Sequence, residues 1–160
     1  MKKSGLNFWI VAALAGCLFL TPAHAGEGAQ ASASRFCMIH VNVDPKGQPL
    51  AAYQVEITFT NPAVRIVGIE GGDRAPYTNA PHYDPKAIQH ERVILAAFSL
   101  SPETRLPTNK VRVASVHLMV GGGGFPGQPG IRAIAAASSR GKTISVEATT
   151  EPGKTNENSK

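Results

Sequence analysis

An all-β sandwich is the fold class this sequence predicts, and three observations predict it. No segment carries apolar residues at a sustained 3.6-residue spacing, several carry them at alternate positions, and breaks rich in glycine and proline separate those segments. The chain has 160 residues with 16 Gly and 12 Pro, and its 42% hydrophobic content can fill one core. About seven to nine short strands in a single domain over residues 35–150 follow from that pattern.

The elements come in order. Phe36-Cys37-Met38-Ile39-His40-Val41-Asn42-Val43 opens the domain, with Cys37, Ile39, Val41 and Val43 sharing one face by period-two alternation. Asp44-Pro45-Lys46-Gly47-Gln48 is a turn. Residues 50–60 make the clearest half-buried strand, in which Ala51, Tyr53, Val55, Ile57 and Phe59 face the core while Gln54, Glu56 and Thr58 face away. Asn61-Pro62-Ala63 breaks it, residues 64–69 are rich in β-branched side chains, and Gly71-Gly72 ends that run.

Residues 73–90 hold three prolines and no period, so they read as a long surface loop, a kind of segment that often carries function. Residues 92–99 are almost continuously apolar, which suits a strand covered on both faces. Residues 110–120 alternate between Val111, Val113, Ser115, His117 and Met119 on one side and Arg112, Ala114, Val116, Leu118 and Val120 on the other; either set can be the core face. The Gly-Pro stretch 121–130 cannot be helical, 131–137 is an Ala-rich apolar run, and 138–142 is a turn. A last strand over 143–149 turns Ile144, Val146 and Ala148 inward, and residues 151–160 read as a disordered polar tail.

Residues 1–25 have the pattern of a secretory signal: Lys2 and Lys3, an apolar run from Phe8 to Leu20, and a site ending Ala23-His24-Ala25. The apolar run is short for a membrane span. Cleavage after Ala25 leaves a small, polar, flexible lead-in over 26–34 and a soluble exported chain, secreted, periplasmic or in the cell envelope. A second reading competes, because Leu14-Ala15-Gly16-Cys17 matches a lipobox and would make Cys17 a lipid anchor. Once the leader is removed Cys37 is the remaining cysteine, expected as a buried, inert thiol that forms no intrachain disulfide. The leader also takes two of the 16 Lys and Arg, so the formal charge falls from +5 to +3. Its basic residues are scattered with no aromatic platform between them, which excludes a nucleic-acid partner.

Three stretches carry a resemblance: residues 50–59 (Leu-Ala-Ala-Tyr-Gln-Val-Glu-Ile-Thr-Phe), 61–69 (Asn-Pro-Ala-Val-Arg-Ile-Val-Gly-Ile) and 93–99 (Val-Ile-Leu-Ala-Ala-Phe-Ser). Their order, followed by the strand 111–120, resembles the cohesin domain, a member of the jelly-roll superfamily that includes carbohydrate-binding modules. The likeness spans residues 36–149. It departs at the Asn61-Pro62 corner, where cohesins have Asp-Pro, and in the length of the 73–90 loop. The resemblance implies a cohesin-like jelly-roll sandwich that binds an extracellular or envelope protein (dockerin-like) or a polysaccharide, without catalysis and without a cofactor.

The long loop supplies the candidate ligand-binding residues Tyr77, His82, Tyr83 and Asp84. Tyr77 and Tyr83 offer a rigid apolar body with a polar tip, suited either to packing within the loop or to a partner. The leader contains the single tryptophan, Trp9, which weighs against a flat sugar-stacking platform. His82, Asp84, His90 and Glu91 form the one cluster with metal-ligand chemistry, and a metal-dependent protein or enzyme built on that loop is the alternative reading. Its rival is that Asp84 opens a turn at Asp84-Pro85 and the histidines are surface groups. His40 and His117 are expected as hydrogen-bonded strand residues, and Glu56 and Glu147 as solvated acids. There is no Gly-x-Ser-x-Gly elbow and no phosphate-binding Gly-Lys-Ser/Thr end to the glycine loop.

Overall fold

The computed structural model describes residues 33–123 and 126–154. The expected leader, Cys17 and its lipobox, and the lead-in up to residue 32 lie outside the described residues. Among the described residues seven strands form: β1 (Arg35–Asp44), β2 (Ala52–Thr58), β3 (Val64–Gly71), β4 (Arg92–Phe98), β5 (Val111–Val120), β6 (Gly130–Ala137) and β7 (Glu147–Pro152). Odd-numbered strands make a four-stranded antiparallel sheet in the order β3-β5-β1-β7, and even-numbered strands a three-stranded one in the order β4-β2-β6. Every step along the chain therefore crosses from one sheet to the other, and the two inner faces close on a single apolar core. The predicted all-β sandwich is the observed fold. Among the described residues no helix is long and apolar enough to cross a membrane.

The core is what alternation placed there. Ile39, Val41 and Val43 of β1 meet Tyr53, Val55 and Ile57 of β2 and Val93 and Leu95 of β4, all buried. Each such side chain contributes about 1.5–3 kcal/mol when fully removed from water. Cys37 faces the same way but is half-buried, and burial pushes its thiol pKa up, which keeps it protonated and slow to react.

Three bulges explain where simple alternation breaks down. Val41 pairs with Ala114 and Asn42 with Arg112, so Val113 is an extra residue in β5. Its core face accordingly changes from Val111 and Val113 to Ala114, Val116, Leu118 and Val120. Neither sequence alternative for this strand holds throughout; each holds on one side of the bulge. Val67 is the extra residue of β3, which moves Ile69 onto the core, and Ile134 that of β6.

Two further expectations are corrected. β4 is not covered on both faces: it is the edge of the smaller sheet, with Val93 and Leu95 inward and Phe98 65% exposed. The last strand does not run over 143–149. Thr143 and Ile144 pair with the end of β6, the chain then changes sheets, and β7 begins at Glu147 beside β1. Ile144, Val146 and Ala148 all reach the core as expected, each from a different part of that crossing. β7 runs through Glu151 and Pro152, and Gly153 N donates to Met38 O (2.8 Å), so the domain extends past residue 150 and the tail does not start at 151.

Candidate functional site

The 73–90 segment is a strap rather than a free loop. Gly72 N donates to Tyr77 O (2.6 Å) at its start; His82 exchanges two backbone hydrogen bonds with Ala96 of β4 (2.8 and 2.9 Å) midway; and Gln89 N and Ile66 N bond to Ile66 O and His90 O (2.8 and 3.0 Å) at its end. A Cβ on Gly72 would stand 1.9 Å from Arg112 O, so the strap can lie this close to β5 only with glycine there.

Those anchors decide the fate of the candidate residues. Tyr77 is 2% exposed; its hydroxyl donates to Leu50 O (2.8 Å) and its ring meets Tyr53 edge-on, with centroids 5.1 Å apart. Tyr77 is thus a core residue and offers nothing to a ligand, which corrects its place among the candidates. Burial pushes its hydroxyl pKa up. Tyr83 is half-buried against the core. Asp84 caps a 3-10 turn over Pro85–Ala87, its Oδ1 accepting from Lys86 N (2.9 Å), as the turn reading expects. His82 is exposed at the edge of the smaller sheet.

The proposed metal cluster does not assemble. Asp84, His90 and Glu91 border one shallow depression together with Lys86 and Arg92, while His82 borders another beside Ala96 and Phe98. Among the described residues no group of three or more His, Cys, Asp or Glu could hold a metal ion. The strap's two-way bridge to Ala96 is what takes His82 away from the others.

The outer face of the smaller sheet carries the arrangement that sequence reasoning missed. Register sets four rows across it: Phe98-Ala52-Ala137, Ala96-Gln54-Ala135, Ile94-Glu56-Arg132 and Arg92-Thr58-Gly130. The first two rows are alanines around Gln54 and one protruding ring, and His82 extends the second; they border a depression of about 330 Å³. The last two rows are charged. Arg92 donates from Nε to Glu56 Oε1 (2.7 Å), and Arg132 donates from Nε and Nη2 to Glu56 Oε2 (3.1 and 2.6 Å). Glu56 is only 13% exposed between them, and Arg132 first, then Arg92, holds its carboxyl below the usual range. Two guanidinium groups share one carboxylate, so this end of the face keeps a net positive charge. No sequence signal announced the trio, because its members meet only through the register of three strands.

On the larger sheet's outer face, His40 Nδ1 lies 3.1 Å from Ser115 Oγ. Arg112 Nη1 sits 3.4 and 3.2 Å from the two ring nitrogens of His40, a position above the ring rather than in its plane. Desolvation first, then the Arg112 charge, lowers the His40 pKa. His117 Nε2 is 3.2 Å from Glu70 Oε1, a polar contact outside hydrogen-bond alignment. Glu147 is paired with Lys46, and Glu151 with Lys110. No protein-family model, curated protein or solved structure matches this chain.

Proposed function

We propose that this chain is an exported, non-catalytic binding module of cohesin-like type that docks a protein at the envelope or outside the cell. The observation that carries the reading is the outer face of the β4-β2-β6 sheet: a mostly apolar half of alanines around Phe98, 65% exposed, with Gln54 at its centre, beside a cationic half built on Arg92 and Arg132. A buried aromatic anchor with a charged rim is how protein interfaces concentrate their binding energy. A protein fits this face better than a polysaccharide, since it presents a single exposed ring rather than a row of stacking faces. The partner supplies an apolar side chain to the depression and a carboxylate to the guanidinium groups. Export rests on the pattern of residues 1–25.

The test is capture of envelope and secreted proteins on the purified chain, with a polysaccharide array as the competing arm. The reading expects a saturable protein partner whose affinity falls at least about tenfold in Phe98→Ser and in Arg132→Gln, with each variant shown to be folded by circular dichroism before binding is measured. Glycan binding without a protein partner, or a partner indifferent to both substitutions, rejects it.

A further inference from the structure

A second cavity lies away from that face, at the β1–β7 edge of the larger sheet. Its walls are residues 37–39 of β1, 150–153 at the end of β7, and the 126–129 segment that leads into β6. β7 pairs with β1 from Ile39 onward and Gly153 N reaches Met38 O, so residues 35–37 of β1 have no partner on that edge among the described residues. Ile39 belongs to the core and Cys37 packs against it, which makes the floor of the cavity continuous with the interior. Its volume is about 140 Å³. An apolar protein cavity of about 150 Å³ stays dry and takes up benzene, so this one is the size of a single ring or a short alkyl chain.

The rim has a sign. Glu151 borders the cavity but is paired with Lys110. Arg35, which also borders it, has no ion pair among the described residues. An apolar pocket with one uncompensated guanidinium at its mouth suits an apolar tail carrying a carboxylate, since a guanidinium forms its strongest hydrogen bonds with that planar anion.

We propose that the cavity between β1, β7 and residues 126–129 is a binding site for a small alkyl or aryl carboxylate, with the tail against Cys37 and Ile39 and the head at Arg35. The site is separate from the protein-docking face and independent of it.

Cys37 provides the readout. Phenylacetate and its uncharged isostere phenylacetamide are the probes, and alkylation of Cys37 by iodoacetamide is followed by mass mapping of its own peptide in the intact purified chain. The expected result is saturable slowing of alkylation by phenylacetate, with phenylacetamide needing at least about tenfold more for the same effect. Arg35→Gln, with melting temperature unchanged, brings phenylacetate to the level of the amide and leaves the amide as it was. Two results overturn the proposal: no slowing by either probe at concentrations that leave the fold intact, or equal slowing by both with no effect of Arg35→Gln.

Discussion

Tyr77 gives the sharpest test of how the strap is held. Truncation to Ala removes a ring that is 2% exposed, together with its edge-on contact with Tyr53 at 5.1 Å and its hydrogen bond to Leu50 O at 2.8 Å. Emptying a buried aromatic site costs about 3–5 kcal/mol. Tyr77→Phe keeps the ring and leaves the Leu50 carbonyl without its donor inside the core, at a cost of about 1–3 kcal/mol. For a domain of this size each kcal/mol moves the melting temperature by roughly 3–5 °C, so Tyr77→Ala should melt lower than Tyr77→Phe, and both below the wild type. Equilibrium urea unfolding measures both, provided the slope of the transition stays constant. In a double-mutant cycle with Tyr53→Leu, the edge-on pair should show a coupling of about 0.5–1.5 kcal/mol. A Tyr77→Ala protein within about 0.5 kcal/mol of the wild type would refute the reasoning, because that is the range of an exposed loop residue.

Three other outcomes follow from the same structure. Glu56 has its pKa lowered in the folded state, so its contribution to stability is present above the ordinary carboxyl value near 4.5 and is lost as pH falls through the lower folded value. Unfolding measured from pH 5 downward should show this loss in the wild type and not in Glu56→Gln. His40 also has a lowered pKa, so the unfolded chain takes up its proton first and stability falls as pH drops below about 6.5. Its ring resonances should titrate below that value in NMR, and His40→Gln should flatten this part of the stability profile. Gly72→Ala drives a methyl into the Arg112 carbonyl, which is backbone and cannot swing aside; its cost should reach or exceed the top of the usual overpacking range of about 1–3 kcal/mol in urea unfolding.

The sequence by itself determined the fold class and most of the core. Period-two alternation is a local property, readable one strand at a time, which is why Ile39, Val41, Tyr53, Val55 and Ile57 could be placed inside without knowing their partners. The turns at 44–48 and 138–142 were legible for the same reason: Lys46 N bonds to Asp44 Oδ1, and Gly141 takes a positive φ of 72°. Tertiary structure decided the rest. Tyr53 and Tyr77 look alike as residues, but only Tyr53 sits in a periodic strand; the other becomes core because the strap is pinned at Gly72, Ala96 and Ile66, contacts distant in sequence. The bulge at Val113 exists only relative to β1, and it alone explains the change of core face along β5. The Arg92-Glu56-Arg132 trio and the uncovered edge beside Arg35 are likewise products of register and strand order. Pairing between strands is a nonlocal choice, fixed by the packing of two whole sheets against one core, so a single strand's pattern shows which residues face inward and not which neighbours they meet.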